Sequence, residues 1–340
     1  MINFEFLLII LLHTILVFFF WKYNYKIAIY LGLFDDINQQ RKLKKTKTPL
    51  TGGLIVLSFI YLYFFLNQLD LTILQYENFL IDLVFLTAIS FLFILGFCDD
   101  KYDLSPNLKL TILIILFSIT VYLDKSLLIS ELDFKTFNLS FNIKSYSFFF
   151  VIFCLVVFSN ATNMFDGINL QCSSYFLFII LYLQVIFANN LEIYPFLFSL
   201  TIGILFFIFL NINNKSYLGD SGVYILSFIL GILIIKSYNN GYLYCDQILL
   251  MMLIPGIDMI RLTFARIYNG KHPFKADNEH IHHIMSKKFS ELEIFLINYN
   301  LIIIPNILAY IFEQYILFII ITIIIYIFII MKFNATNKKI

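Results

Sequence analysis

The chain has 340 residues, of which 61% are apolar and 13% charged, and its mean hydropathy is +0.87. A soluble domain usually carries about 25% charged residues, so this composition excludes an ordinary soluble domain and predicts an integral membrane protein. The net charge of +1 offers no basic surface, and nucleic acid is therefore not expected as a partner.

Apolar runs of roughly 17–25 residues, long enough to cross a bilayer, recur along the whole chain. They predict an all-α protein with about eleven transmembrane helices, or ten if one short span is re-entrant. In this prediction residues 1–333 form one multi-pass transmembrane domain, and 334–340 form a short cytoplasmic tail. The predicted spans lie near 4–20, 50–66, 79–97, 108–123, 147–160, 173–188, 193–211, 217–235, 246–265, 294–311 and 314–331.

Lysine and arginine are distributed unequally between the two sides of the predicted membrane. Of the 23 basic residues, 19 lie in the loop after the first span or in other segments on its side. The positive-inside rule makes that side cytoplasmic, with the N-terminus outside and the C-terminus inside. The high Ile, Phe, Asn and Lys content is typical of an AT-rich genome and favours a bacterial cytoplasmic membrane.

Five polar clusters border the predicted spans, and all five fall on the cytoplasmic side. Ionisable side chains are costly near lipid, so such clusters are candidates for a functional site. In chain order they are Arg41-Lys42 with Thr48 to Gly53, Asp99 to Asp103, Asn160 to Asn169, Leu218 to Gly222, and Pro273 to His283.

The second cluster contains Asp99, Asp100 and Asp103. A single aspartate at a membrane boundary is commonly a solvated helix end, but three in five residues repel each other unless a positive group lies between them. On a continuing helix Asp99 and Asp103 share a face. We therefore expect a divalent cation or a basic partner beside these carboxylates.

The third cluster repeats a polar residue at every third position: Asn160, Asn163, Asp166 and Asn169. This spacing predicts one helical face, although Asn and Gly are equally typical of a polar turn. Carboxylate and amide oxygens are hard ligands that suit Mg²⁺, whose coordination is usually completed by substrate phosphates.

The fourth cluster places Asp220 and Ser221 between glycines at the start of a span. Either residue could be a simple N-cap. Alternatively, the glycines allow close backbone approach, and the helix N-terminus favours a phosphate group.

The last cluster gathers His280, His282 and His283 near Lys271. Zinc binding is disfavoured because neither a cysteine nor a carboxylate has a suitable spacing. An anionic substrate group or proton transfer near neutral pH fits the histidines better.

The five clusters together suit Mg²⁺-assisted chemistry on a diphosphate, with a second substrate that arrives from the lipid. The ordered motifs DDKYD (99–103), NATNMFDGIN (160–169), LGDSG (218–222) and PFKADNEHIHH (273–283) resemble those of the polyprenyl-phosphate N-acetylhexosamine-1-phosphate transferases. The resemblance runs from about Asp35 to His283. Its last motif is closer to the N-acetylglucosamine branch than to the branch that transfers phospho-MurNAc-pentapeptide.

The resemblance implies transfer of a sugar 1-phosphate from a UDP-N-acetylhexosamine to undecaprenyl phosphate, with release of UMP, as the first membrane step of a cell-surface glycan such as O-antigen. It implies Mg²⁺, for which Mn²⁺ could substitute, and a homodimer. Direct attack by the lipid phosphate is favoured, with a covalent enzyme intermediate left open.

The resemblance also implies residue roles. Asp220 and Asn163 are expected to hold the metal, and Asp99, Asp100 and Asp103 are the expected catalytic carboxylates. The expected substrate-binding residues are Arg41, Gly52, Gly53, Asn160, Asp166, Asn169, Lys271, His280, His282 and His283.

Two departures bear on the identity of the sugar. Asn169-Leu170 stands where bacterial members usually have Asp-Gly, and Val223 stands where Ser is common. The alternatives are a phospho-MurNAc-pentapeptide translocase, a catalytically inactive relative that serves as a scaffold, or a secondary transporter. A transporter is disfavoured because its ionisable residues usually lie near the bilayer midplane and its sequence often repeats internally.

Overall fold

The computed structural model describes residues 4–35, 47–68, 79–188, 193–270, 280–286 and 288–335. In these ranges the chain is predominantly helical. The helices are α1 (Phe4–Leu31), α2 (Gly52–Gln68), α3 (Phe79–Tyr102), α4 (Pro106–Leu123), α5 (Ser147–Phe165), α6 (Gln171–Ile186), α7 (Tyr194–Ile212), α8 (Gly219–Asn239), α9 (Cys245–Met251), α10 (Leu253–Tyr268), α11 (Ile281–Met285), α12 (Glu291–Phe312) and α13 (Tyr315–Ala335).

Helices occupy all of the segments that the apolar runs predicted. Eight of the described helices are long and apolar enough to cross a membrane, or nine if the bent pair α9 and α10 is one span. Gly52–Asn67 and Gln171–Ile186 are shorter apolar helices. The chain is therefore a multi-pass helical membrane protein, while the count of eleven spans and the orientation stay predictions.

The predicted ninth span is not one straight helix. Its two parts, α9 and α10, meet at an angle of 71° at Met252. Pro255 and Gly256 follow in the first turn of α10, where a proline without an N–H is tolerated. One continuous helix over 246–265 is therefore not formed, because the chain bends there into two helices.

A small antiparallel hairpin adds β structure to the predicted all-α fold. Strand β1 (Glu131–Phe134) pairs with β2 (Leu139–Asn142), and Glu131 lies opposite Asn142. The turn is anchored by Asp246 at the start of α9, which accepts hydrogen bonds from Thr136 N at 2.9 Å and Thr136 Oγ1 at 2.6 Å.

The described chain divides into two compact units. The first comprises Met1–Leu116 and Phe176–Leu230, and the second comprises Phe117–Tyr175 and Gly231–Ile340. The predicted division into a 1–333 domain and a 334–340 tail stays a prediction, since α13 continues to Ala335 and residues 336–340 lie outside the described part.

In the first unit, α2 packs closely against α7. Lipid tails are as apolar as leucine, so helices associate in a membrane mainly through close packing, which small residues permit. Gly203 of α7 lies against Phe59 of α2, and His13 of α1 hydrogen-bonds Ser199 Oγ of α7 at 2.8 Å. His13 is buried, and this bond links α1 to α7.

In the second unit, α5 packs against α10, and α13 packs against α12 and α9. Asn298 of α12 donates to Gln171 Oε1 at 3.0 Å, and Gln171 in turn donates to the carbonyl of Phe165 at 2.9 Å. These buried bonds fix the end of α5, where the third polar cluster lies.

Candidate functional site

The described part of each unit contains a cluster of ionisable and polar side chains. The cluster of the first unit is built around the start of α8 and is called here the carboxylate cluster: Asp99, Asp100, Lys109, Asp220 and Ser221. The cluster of the second unit, called here the histidine cluster, comprises Asp258, Arg261, His280, His282, His283 and Tyr326.

The start of α8 is capped by a carboxylate from another helix. Asp100 of α3 accepts hydrogen bonds from Asp220 N at 2.8 Å, from Ser221 N at 3.3 Å and from Ser221 Oγ at 3.1 Å. The first N–H groups of a helix have no partner within the helix, and a negative charge there is favourable. The expected N-cap role of Asp220 or Ser221 is therefore wrong, because Asp100 supplies the cap.

Glycines allow this close approach. Gly219 has a φ of +71°, and a Cβ there would lie 2.7 Å from Asp100 Oδ2. A Cβ on Gly96 of α3 would overlap the backbone of Ser221. Larger residues at these positions would separate α3 from α8.

Gly52 and Gly53 also contact the start of α8. Gly52 N donates to the carbonyl of Tyr217 at 3.0 Å, and Gly53 N donates to the carbonyl of Leu218 at 3.1 Å. A Cβ on either glycine would clash with the 217–222 segment. The geometry gives both residues a packing function, and substrate binding by them stays a prediction.

A lysine that the sequence reasoning missed pairs with the aspartates. Lys109 of α4 lies 2.7 Å from Asp99 Oδ2 and 4.0 Å from Asp220 Oδ2. The Asp99 side chain is 2% exposed, whereas that of Asp220 is 32% exposed. The expected basic partner of the DDKYD motif is therefore Lys109, and Asp220 is the accessible carboxylate beside it.

Asp103 does not share a helical face with Asp99, contrary to the expectation from their spacing. Helix α3 ends at Tyr102, and Asp103 has a φ of +51°. Asp99 Oδ1 instead accepts a hydrogen bond from Leu104 N at 2.9 Å and so closes the turn after the helix. Asp103 is exposed beyond that turn.

The third sequence cluster is likewise only partly helical. Helix α5 ends at Phe165, so Asp166 and Asn169 follow it, and the single helical face predicted for all four residues is wrong. Asn160 donates to the carbonyl of Val156 at 2.8 Å. The Asn163 Nδ2 atom is buried and has no hydrogen-bond partner among the described residues.

Gly167 brings this segment against the histidines. A Cβ on Gly167 would overlap the imidazole ring of His282. The His282 ring centroid lies 4.4 Å from that of His283 and 5.3 Å from that of His280. The three predicted histidines are therefore brought together, and one of them covers Gly167.

Burial changes the chemistry of His282. Loss of hydration, together with the neighbouring His283 and His280, lowers the pKa of His282 from 6.5 to about 3. His282 is therefore neutral at physiological pH and can donate or accept a hydrogen bond without adding charge.

Asp258 of α10 was not predicted as a site residue. Its Oδ2 atom lies 3.3 Å from His280 Nδ1, while Oδ1 lies 2.7 Å from Arg261 Nη2 and 2.7 Å from the Tyr326 hydroxyl. An aspartate within an apolar helix was the signal that could have revealed it, since ionisable groups there are rarely incidental.

Two predicted site residues, Arg41 and Lys271, lie outside the described residues. Within the described part of the chain, no group of three or more His, Cys, Asp or Glu side chains is arranged to hold a metal ion. The described residues therefore do not form a metal site made entirely of such side chains.

Comparisons with known proteins bear on this arrangement. Residues 82–238 match the model of glycosyl transferase family 4, a stretch that includes the carboxylate cluster and the 160–169 segment. This match confirms the resemblance predicted from the motifs.

Curated relatives extend the similarity over most of the chain. Proteins named undecaprenyl-phosphate alpha-N-acetylglucosaminyl 1-phosphate transferase are similar to it. The one from Escherichia coli strain K12 is 27% identical over 86% of this chain and 78% of its own length. Those from Salmonella typhi and Haemophilus influenzae are 25% and 24% identical, over 77% and 76% of this chain and 71% and 73% of their own lengths.

Proposed function

We propose that this protein transfers N-acetylglucosamine 1-phosphate from its UDP derivative to undecaprenyl phosphate, in the cytoplasmic membrane of a bacterium. The observation that carries the proposal is the group of Asp99, Lys109 and Asp220 at the capped start of α8. It lies within the stretch that matches glycosyl transferase family 4. The relatives' names supply the lipid and the sugar.

The proposed reaction is a direct displacement at phosphorus. An oxygen of the lipid phosphate forms a bond to the phosphorus that carries the sugar. The bond between that phosphorus and the bridging oxygen of the diphosphate breaks, and this oxygen leaves with UMP. The reaction consumes no redox equivalent, and its main electrostatic demand is stabilisation of the negative charge that develops on the phosphoryl oxygens.

The carboxylate cluster contains charged groups of both signs, which suits this electrostatic demand. Lys109 lies 2.7 Å from Asp99 Oδ2 and 4.0 Å from Asp220 Oδ2, where its positive charge offsets part of the repulsion between the two carboxylates. Asp100 uses its oxygens on the start of α8, and we assign it the positioning of Asp220. Asp99 and Asp103 remain proposed catalytic carboxylates, with Asp99 proposed to activate or orient the lipid phosphate.

Mg²⁺ is the proposed cofactor. Mg²⁺ is usually bound by one or two carboxylates together with substrate phosphates, so a complete protein cage is not required. The accessible Asp220 carboxylate fits this mode, and Asn163 stays the second proposed ligand. When bound, the ion would neutralise diphosphate charge and help UMP leave.

The second unit is proposed to bind the donor. Asp166 and Asn169 would help to place the nucleotide, and the histidine cluster would contact the diphosphate or the sugar. A neutral His282 offers a hydrogen bond there without repelling a cation.

The test is UMP release by detergent-purified protein supplied with UDP-N-acetylglucosamine, undecaprenyl phosphate and Mg²⁺, each omitted in turn. We expect release only when all three are present. Release with UDP-MurNAc-pentapeptide alone would favour the translocase. Solute uptake that is indifferent to lipid phosphate, without UMP release from any donor, would favour the transporter and overturn the proposal.

A further inference from the structure

The buried Asp258 carboxylate binds three side chains from three parts of the second unit. It lies in α10 with 4% of its surface exposed. Its partners are Arg261 one turn further along the same helix, Tyr326 of α13, and His280 immediately before α11. A buried charge of this kind is costly unless it is paired and hydrogen-bonded, and Asp258 meets both conditions.

The two oxygens of Asp258 are used differently. Arg261 Nη2 and the Tyr326 hydroxyl both donate to Oδ1 at 2.7 Å. Arg261 Nε also donates to the Tyr326 hydroxyl at 2.9 Å, which links the two donors to each other. Since Oδ1 receives both donors, Oδ2 is the oxygen directed at His280 Nδ1, at 3.3 Å.

This contact selects one tautomer of His280. An ionised carboxylate only accepts hydrogen bonds, so Nδ1 of His280 carries the hydrogen. Nε2 is then the nitrogen that can accept a proton from, or return it to, a bound substrate group. The His280 ring stacks on that of His282, with an angle of 17° between the planes, and His282 covers Gly167. Rotation of His280 would therefore disturb the rest of the histidine cluster.

We propose that Asp258 is a positioning residue that fixes the ring orientation and tautomer of His280, and that Arg261 and Tyr326 fix Asp258 in turn. The final helix α13 thereby takes part in the site through a single hydroxyl group. This inference rests on the proposed function, because His280 is the residue through which Asp258 acts on the reaction.

The kinetic experiment compares Asp258→Asn, His280→Gln and their double variant. Loss of a partner that orients a functional histidine typically costs about 10- to 100-fold in activity. We expect Asp258→Asn to lower kcat by that amount while the KM of the UDP-sugar changes little. In the His280→Gln background, Asp258→Asn should cause no further loss. Independent, multiplicative losses would overturn the proposal.

Tyr326→Phe is the milder variant if Asp258→Asn does not fold. It removes one hydroxyl group from the network, and a loss of about tenfold or more in kcat is expected from a hydrogen bond to a charged group. The matched control is Tyr310→Phe, because Tyr310 of α12 is 53% exposed. Equal kcat values for Tyr326→Phe, Tyr310→Phe and the unmodified protein would count against the role of α13.

A spectroscopic readout keeps the test independent of activity. In protein labelled with ¹⁵N-histidine, the ring signals that disappear in His280→Gln belong to His280. We expect them to report the Nδ1–H tautomer, and to lose that preference in Asp258→Asn. An Nε2–H tautomer in the unmodified protein would refute the inference. Absence of UMP release with every donor, together with the Nδ1–H tautomer, would refute the proposed function alone.

Discussion

Asp100 Oδ1 accepts a hydrogen bond from the backbone N–H of Asp220 at 2.8 Å, although the two residues are 120 positions apart in the chain. Asp100 of the DDKYD motif thus fixes the backbone of Asp220 at the start of α8. This bond holds the main chain of Asp220 against α3, while the Asp220 carboxylate stays partly exposed.

Asp100→Ala is predicted to weaken both the fold and the activity. Loss of a side chain that caps a helix N-terminus costs about 0.5–2 kcal/mol. Asp100→Asn keeps an acceptor oxygen and should lose less of the thermal stability. Unfolding temperatures in detergent, measured beside UMP release, check this order. Equal stability of Asp100→Ala and the unmodified protein would contradict the capping role.

Asp220→Asn is predicted to remove most of the activity without loss of folded protein. A carboxylate that holds a catalytic cation contributes several kcal/mol to the transition state, which corresponds to about a 100-fold or greater loss of kcat. Glu131→Gln, on the exposed hairpin, is the matched control. Near-normal turnover by well-folded Asp220→Asn would remove Asp220 from the mechanism.

Lys109→Met is predicted to destabilise the protein, since it leaves the buried Asp99 carboxylate without its ion-pair partner. Breaking a buried pair costs on the order of 3–5 kcal/mol, and the partial exposure of Lys109 reduces this value. Adding Asp99→Asn should restore much of the stability but not the activity. If the double variant were no more stable than Lys109→Met, the ion pair between Lys109 and Asp99 would contribute little to the stability of the protein.

The sequence predicted the helices well, because each apolar run must satisfy its backbone within a helix in the membrane. It did not predict where helices stop. Asp103 and Asp166 lie just past helix ends. A regular spacing of polar residues does not reveal which residue adopts a left-handed backbone conformation or caps a helix. The bend at Met252 had a local signal in the following Pro255-Gly256 pair.

The sequence predicted site residues in segments where several polar or ionisable side chains lie close together along the chain. Lys109 and Asp258 were missed because each acquires its role from a partner that is distant in sequence or on another element. Lys109 was counted only toward topology, and Asp258 was read as part of an apolar span. Gly52 and Gly53 were singled out as substrate-binding residues, which stays a prediction, and their contacts with the 217–222 segment depend on tertiary structure.

Gly167→Ala is predicted to displace His282 and to impair use of the nucleotide sugar. The added methyl group would overlap the imidazole ring, so the ring or the 166–169 segment must move. Gly256→Ala in α10 is the matched control, because a Cβ there meets nothing within 4 Å. Steady-state kinetics should show a raised KM or lowered kcat for Gly167→Ala only. Unchanged kinetics would separate this glycine from the site.

The pKa of His282 predicts a dependence of stability on pH. His282 has a folded pKa of about 3 and an ordinary value of 6.5, so the unfolded chain takes up its proton first as the pH falls. The stability contributed by neutral His282 is therefore complete above about pH 6.5. It declines toward pH 3 by at most about 1.4 kcal/mol per pH unit. His282→Gln should show a shallower loss of unfolding temperature between pH 7 and pH 4, and an identical slope would contradict the shift.

Mass spectrometry of the lipid product tests the central claim most directly. The purified protein would be incubated with undecaprenyl phosphate, UDP-N-acetylglucosamine and Mg²⁺, with Asp220→Asn in parallel. The account predicts that undecaprenyl phosphate gains one N-acetylhexosamine phosphate in the unmodified protein and far less in the variant. Recovery of unmodified lipid from folded, unmodified protein with every UDP-hexosamine supplied would contradict it.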